Sequence, residues 1–379
     1  MSDKQRYLTC LFFFKMAVGA LLLLIGWDAI GLKGDSAGNV AMVTLLAFAP
    51  AAFARPLYWK ISKFTDLTLI RISLFSSFVF VLIERSVMFA THAEKEIFYV
   101  IHFLLWIFIF LNEVTLERCF VTISKSMSDD ELKSISGSSM AVIQFGIILG
   151  PILAGFSKNY SPQMPYYITA ILFFIPLVFI ATGKSQQIVI NVKKSKVISR
   201  RFDILLAFSL IWPTLAVFNM AVPLVSNKYY TDGLNVAVAL EVALALGSAL
   251  AGVFYSKLSK ILFNESLVAV GIAIICLCIE FFKTNMYLLS ISIFLLGLFY
   301  GTLRISSRAY LAKNISPDEV GNLISKANAL SSLLVAAYLY LFYIENKSTG
   351  SLFVMMIAFV VSSIFFVFMK RKSNDLANS

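Results

Sequence analysis

The sequence predicts an all-α membrane protein with twelve transmembrane helices, and its composition and hydropathy pattern support that fold class. Hydrophobic residues make up 59% of the 379 residues, charged residues only 14%, and the mean hydropathy is +0.84. A soluble chain averages about half apolar and about a quarter charged residues, which excludes soluble enzymes, disordered proteins and coiled coils. Apolar runs of about 20 residues, the length of a membrane-spanning helix, recur along the whole chain.

These runs place twelve spans with connections too short for a separate soluble domain. The run from Leu8 is long enough to be the first span and carries Lys15, so it is interpreted as a span and not as a signal peptide. Only Lys283–Asn285 separate the ninth span from the tenth. The predicted spans are 8–29, 38–54, 67–90, 97–121, 137–156, 166–182, 204–225, 234–255, 263–282, 286–306, 325–344 and 351–369.

The distribution of Lys and Arg predicts that both termini are cytoplasmic. With connections assigned alternately to two sides, 24 of the 32 basic residues lie on the side of the termini and 7 on the other. Cytoplasmic loops carry such an excess, which also explains the net charge of +11 without a nucleic-acid partner. The basic connection 183–203, a candidate for contact with anionic lipids, separates an N-terminal six-span bundle (1–182) from a C-terminal one (204–379).

The two halves of the chain carry the same short motif before their fifth span. Residues 128–131 (Ser-Asp-Asp-Glu) precede the fifth span and residues 316–319 (Ser-Pro-Asp-Glu) precede the eleventh, 188 positions later. Both have the Ser-x-x-Glu pattern of a capping box, which opens a helix. Two capping boxes can coincide by chance, but their matched position in the span order favours a duplicated unit.

A glycine ladder runs through the fifth span. Gly137, Gly146, Gly150, Pro151 and Gly155 follow one another in a spacing that resembles the fifth-helix antiporter motif of the major facilitator superfamily. Gly146 and Gly150 share one face, which another helix is able to approach closely, and Pro151 bends the helix. We expect the eighth span as the neighbour because it is also rich in small residues: Gly247, Ser248, Ala251 and Gly252.

The resemblance implies a secondary transporter with two pseudo-symmetric six-helix bundles, alternating access, and a cavity lined by spans one, four, seven and ten. It favours proton-coupled export of a small organic molecule. The basic residues Lys15, Arg304 and Arg308 near the cavity favour an amphipathic or anionic substrate, such as a metabolite, siderophore or drug, and we expect a monomer in a cytoplasmic membrane. The alternatives are a proton-coupled importer and a lipid flippase. The sequence contains no Walker loop, zinc motif or nucleophile elbow, so we expect no enzyme activity, cofactor or metal, with protons and lipids as partners.

Polar side chains share a face in each of the four cavity spans, at about 100° per residue. Ionisable residues inside a span are rare and usually functional. The candidate cavity and proton-coupling residues are Lys15, His102, Trp106, Glu113, Asn219, Tyr300 and Arg304, together with Glu241 of the eighth span.

Other polar residues are assigned to the ends of spans. Glu117, Arg118 and Arg308 are expected at a cytoplasmic gate. Glu117, Arg304 and Arg308 lie near the cytoplasmic ends of their spans, where a snorkelling or gate role is expected and contact with the substrate is the alternative. His102 is expected to be a packed, hydrogen-bonded histidine rather than a proton relay. Asp28, Glu84, Arg85 and Glu280 are interpreted as residues of the outer interface.

Lys15 and Glu113 lie at matching depths. At 1.5 Å per residue they are about 12 Å and about 13 Å from the cytoplasmic ends of spans one and four. The sequence therefore predicts that they face each other within about 12 Å, as an ion pair or a proton-linked switch. A static structural pair is the alternative. Glu113 is the first candidate for a protonatable group, and Glu241 is a second proton carrier or a hydrogen-bonded structural acid.

Overall fold

The computed structural model describes residues 3–53, 66–89, 95–124, 129–180, 202–261, 265–314, 317–348 and 352–377. Within these ranges the chain is helical apart from short turns. The helices of the first half are α1 (Asp3–Ile30), α2 (Ser36–Phe48, continued by a 3-10 turn Ala49–Phe53), α3 (Asp66–Met88), α4 (Lys95–Ser124), α5 (Asp129–Lys158) and α6 (Met164–Ile180). Those of the second half are α7 (two segments, Phe202–Ser209 and Ile211–Tyr229), α8 (Gly233–Ile261), α9 (Glu265–Phe282), α10 (Met286–Asn314), α11 (Pro317–Ser348) and α12 (Phe353–Ala377).

These helices confirm the predicted count of twelve spans. In the described ranges, nine helices are long and apolar enough to cross a membrane, and three shorter apolar helices (Met164–Phe179, Ser266–Phe282 and Phe353–Met369) complete the set. The separation of spans nine and ten is also confirmed, because α9 ends at Phe282 and α10 begins at Met286. The Asn285 side chain caps α10 by accepting a hydrogen bond from the Leu288 N–H at 3.2 Å.

The chain divides into two compact units, Met1–Ile190 and Asn191–Ser379, with six helices described in each. The predicted linker 183–203 lies outside the described residues except for its last two positions. Helices α5 and α11 begin at Asp129 and Pro317, directly after the serine of each predicted capping box. The two serines themselves lie outside the described ranges.

The break in α7 has a local cause in Pro213. Proline has no N–H, so the Ser209 carbonyl loses its partner four residues along the helix. The Ser331 hydroxyl of α11 donates to that carbonyl at 2.8 Å. A carbonyl freed inside the unit is thereby satisfied by a neighbouring helix, as the absence of water in a bilayer requires.

Two carboxylates cap the start of α12. The Glu345 oxygens of α11 accept hydrogen bonds from the Phe353 and Val354 N–H groups at 2.8 and 3.0 Å. Glu280 of α9 accepts from the Leu352 N–H at 3.0 Å and also pairs with Lys283. The first N–H groups of a helix have no partner within the helix, and negative charge stabilises that end. These bonds fix α12 against α9 and α11.

A three-helix tie joins α1, α5 and α6. Asp28, near the end of α1, forms an ion pair with Lys158 at the end of α5 and accepts a hydrogen bond from the Tyr166 hydroxyl of α6 at 2.8 Å. Tyr166 is fully buried. The tie is therefore a charge-assisted cluster, a type of interaction that is stronger than a bond between neutral groups.

Removal of the Tyr166 hydroxyl should weaken this tie. We expect Tyr166→Phe to reduce the free energy of unfolding by about 1–2 kcal/mol, because Asp28 then loses a buried donor. Tyr167→Phe is the matched control, since Tyr167 is 40% exposed and contacts Arg85 through its ring, which phenylalanine keeps. Thermal unfolding in detergent compares the two variants. Equal midpoints for both would contradict the role given to the Tyr166 hydroxyl.

Candidate functional site

Lys15 of α1 and Glu113 of α4 form an ion pair inside the first unit. The Lys15 ammonium contacts Glu113 Oε1 across 98 residues of sequence. The two side chains are 15% and 18% exposed, so the pair is neither sealed in the unit nor fully open. The contact that the matching depths predicted is therefore present, while its role in coupling remains a proposal. An intramembrane ion pair is costly to build and marks a functional site by default.

Glycines of α5 determine where the Lys15 turn of α1 lies. A Cβ atom at Gly146 would stand 3.0 Å from Lys15 Cβ and 2.9 Å from the Phe12 carbonyl oxygen. A Cβ atom at Gly150 would stand only 2.3 Å from the Met16 carbonyl oxygen. Gly19 of α1 faces Ile147 and Pro151 in return, at 3.1 and 3.3 Å. Two helix backbones therefore touch at the turn that carries Lys15, which only glycine permits.

The expected neighbour of these glycines was wrong. We predicted that α8 packs on Gly146 and Gly150, whereas the structure places α1 there. The small residues of α8 have another partner within the second unit. A Cβ atom at Gly247 would lie 2.1 Å from the Phe294 carbonyl oxygen of α10, and the Ser248 hydroxyl donates to the Gly297 carbonyl at 3.1 Å. The spacing of glycines shows that one face of a helix carries only small side chains. It does not show which neighbouring helix packs on that face.

The polar stripe of α4 continues from Glu113 to Trp106 and His102, which are 6% and 1% exposed. The Trp106 indole N–H is buried and has no hydrogen-bond partner among the described residues. His102 lies between α2 and α3, with Nδ1 2.8 Å from Glu84 Oε1 and Nε2 3.0 Å from the Val43 carbonyl oxygen. It is therefore a packed, hydrogen-bonded histidine, and neither ring nitrogen is free for a substrate.

The assignment of Glu84 to the outer interface was wrong, because its side chain is 0% exposed. Sequence reasoning missed its contact with His102, although a signal was present. Glu84 lies four residues before the end of α3, and His102 lies seven residues after the start of α4. In an antiparallel pair of helices such positions have similar depth, which is the argument that had paired Lys15 with Glu113.

In the second unit, Tyr300 is buried, with 2% of its surface exposed. Its hydroxyl is 3.0 Å from Ser362 Oγ of α12, and its ring packs edge-on against Phe359 at 5.0 Å. The predicted cavity-lining residue is therefore part of the packing of α10 on α12. Arg304, one turn further along α10, is half-buried.

Two polar side chains of the second unit remain available for a ligand. Asn219 of α7 and Glu241 of α8 are half-buried, and neither has a hydrogen-bond or ion-pair partner in the described part of the chain. Pro223, four residues after Asn219, leaves the Asn219 carbonyl without its helical partner. These positions offer an amide, a carbonyl and a carboxylate within apolar helices.

Several predicted site residues lie beyond what the structure describes. The helices that carry Glu117, Arg118, Gly137 and Arg308 are present, but their side chains are outside the described set. Gly155 is buried in α5, one turn beyond Pro151. Among the described residues, no group of three or more His, Cys, Asp or Glu side chains is placed to hold a metal ion.

No protein-family model and no curated protein matches the sequence. Solved structures do match. The nucleoside transporter NupG superimposes with a TM-score of 0.70 and 16% identity, over 98% of this chain and 99% of that one. A D-xylose-proton symporter gives 0.73 and 11%, over 96% of each chain, and the human organic anion transporter MFSD10 (TETRAN) gives 0.63 and 13%, over 97% and 99%.

The fold is that of MFS-type transporters. The likeness covers nearly the whole length of each chain, so neither of the two six-helix units is left out of it. At identities of 11–16% it establishes the fold and leaves the substrate open. The contacts of Gly146 and Gly150 with α1 come from the structure of this chain and not from the comparison.

Substitution of Gly150 tests the close contact of α1 with α5. We expect Gly150→Ala to lower the thermal midpoint and the yield of monodisperse protein, because the added Cβ meets backbone that cannot move aside. Gly252→Ala is the matched control, since the nearest atom to its Cβ is the flexible Ile305 Cδ1 at 3.8 Å. In a helix interior alanine is favoured over glycine by about 0.5–1 kcal/mol, so the control should be neutral or stabilising. A stable Gly150→Ala protein would contradict the packing.

Proposed function

We propose that this chain is a proton-coupled secondary transporter of a small organic anion, and that the Lys15–Glu113 pair is its coupling element. The observation that carries the proposal is the ion pair itself, which joins two spans and is partly exposed. Its support comes from the fold, which is that of MFS-type transporters. In this reading the chain works by alternating access in a cell membrane.

The Lys15–Glu113 site lies among apolar helices, so its states without net charge are favoured. This preference couples the binding of a proton to the binding of an anion. Lys15 with an ionised Glu113 carries no net charge. A proton on Glu113 leaves Lys15 uncompensated, and an uncompensated buried charge costs about 3–5 kcal/mol. A bound anion restores neutrality. The empty deprotonated state and the state that holds both proton and anion are therefore favoured, and the two half-loaded states are disfavoured.

Several groups of the chain suit an organic anion. Lys15 in the first unit is basic and lies within a span. The buried Trp106 N–H is a further donor, about two helical turns from Glu113 along α4. Among the structural neighbours, MFSD10 is described as an organic anion transporter and another as a proton symporter. Anion recognition and proton co-transport are proposed for this chain as well.

Export by exchange is the second candidate, and the fifth-helix glycine motif favours it. In exchange the proton and the substrate compete for the same group. A cationic substrate competes for Glu113 in this way, because it replaces the proton charge for charge. An anion does not compete, since it binds Lys15 when Glu113 is protonated. The sign of coupling therefore follows the charge of the substrate.

Reconstitution in liposomes that contain a pH-sensitive dye distinguishes the two candidates. We expect an inward gradient of a carboxylate such as lactate, succinate or citrate to acidify the lumen, because anion and proton enter together. A lipophilic cation such as tetraphenylphosphonium would make the lumen alkaline if exchange operates. Nucleosides and pentoses complete the panel.

Two variants show whether Glu113 carries the proton. Glu113→Gln should abolish the substrate-dependent pH change, because glutamine cannot release a proton. Glu96→Gln, the same chemical change on an exposed residue in the first turn of α4, should retain it. A full pH change in Glu113→Gln would remove this residue from the coupling and leave transport itself intact.

A further inference from the structure

Glu84 of α3 and His102 of α4 form a buried pair that is separate from Lys15 and Glu113. Their side chains are 0% and 1% exposed, and Glu84 Oε1 lies 2.8 Å from His102 Nδ1. The Phe98 ring stacks against the imidazole at 5.9 Å, and the Trp106 ring meets it edge-on at 6.1 Å. Two titratable groups therefore share an apolar pocket inside the first unit.

The hydrogen-bond partners of His102 determine how many protons the Glu84–His102 pair holds. His102 Nε2 lies 3.0 Å from the Val43 carbonyl oxygen of α2, which accepts but never donates. Nε2 must therefore carry a proton. The contact between Nδ1 and Oε1 also requires one proton between the two atoms. The pair holds two protons in total and has no net charge, whichever side of the short contact the second proton occupies.

The environment of Glu84 Oε2 indicates whether the second proton lies on Glu84 or on His102 Nδ1. Oε2 is buried and has no hydrogen-bond partner among the described residues. A buried carboxylate with one unsatisfied oxygen costs more free energy than a neutral acid in the same place. In the imidazolium form this oxygen would carry part of a negative charge without a donor. The neutral acid removes that charge.

The surrounding charged groups are engaged elsewhere. The Tyr166 hydroxyl of α6 donates to Asp28, and Lys158 of α5 pairs with Asp28 as well. Arg85, the next residue along α3, turns to Gln163 and to the Tyr167 ring. In the described part of the chain, His102 is the only ion-pair or hydrogen-bond partner of Glu84.

We infer that Glu84 is a protonated carboxylic acid that donates a hydrogen bond to a neutral His102. The pair is a permanent proton site that joins α2, α3 and α4 without a net charge. It differs from the Lys15–Glu113 pair, because both of its side chains are buried, whereas Lys15 and Glu113 are partly exposed. The inference rests on contacts within the first unit and does not depend on the proposed transport function.

Nitrogen NMR of the imidazole tests the assignment directly. The sequence contains two histidines, His92 and His102, so His92→Gln leaves one reporter. In liposomes with ¹⁵N-labelled histidine, we expect a neutral ring at pH 7 with a protonated Nε2 and a hydrogen-bonded, unprotonated Nδ1. Two protonated nitrogens, the signature of imidazolium, would overturn the inference.

Infrared spectroscopy gives a second measurement that needs no change at His92. We expect a carbonyl stretch of a protonated carboxylic acid that is constant between about pH 6 and pH 8, the range where an unperturbed Glu is ionised. Glu84→Gln should remove this band, and Glu113→Gln should leave it in place. A spectrum of Glu84→Gln identical to that of the wild type, or a band that titrates in this range, would contradict a permanent proton at Glu84.

Discussion

The ion pair between Lys15 and Glu113 is the constraint on which the first unit depends. Neither charge is tolerated alone within a span, because the bilayer offers no water to solvate it. Each residue therefore requires the other, unless a proton or a bound ion takes its place. In the proposed mechanism, this requirement determines which combinations of proton and substrate the site accepts.

The packing of α1 on α5 holds the backbone turn that carries Lys15. At Gly146 and Gly150 the backbones of the two helices touch, and the turn in contact carries Lys15. A lysine side chain is long and flexible, so its reach to Glu113 depends on where its backbone is held. The glycine ladder that resembles a family motif therefore has a local physical role in this chain. It fixes the position of a charge, in addition to bringing two helices close together.

The sequence allowed some of this architecture to be predicted. Twelve apolar runs gave twelve helices, and matching depths brought Lys15 to Glu113. The neighbour of the α5 glycines was not predictable, because a small face fits several helices and only the packed unit decides among them. Glu84 was placed at the interface because it lies near a helix end. The similar depths of Glu84 on α3 and His102 on α4 indicated their contact, but the depth argument was applied only to Lys15 and Glu113.

The pH dependence of substrate affinity tests the central claim most directly. With the first carboxylate that the reconstituted protein transports, Kd is measured in detergent across neutral pH for the wild type and for Glu113→Gln. If proton and anion bind together, Kd of the wild type falls as the pH falls, with a slope of log Kd against pH that approaches one, and Kd of the variant is constant. The same slope in both proteins would contradict a coupling role for the Lys15–Glu113 pair.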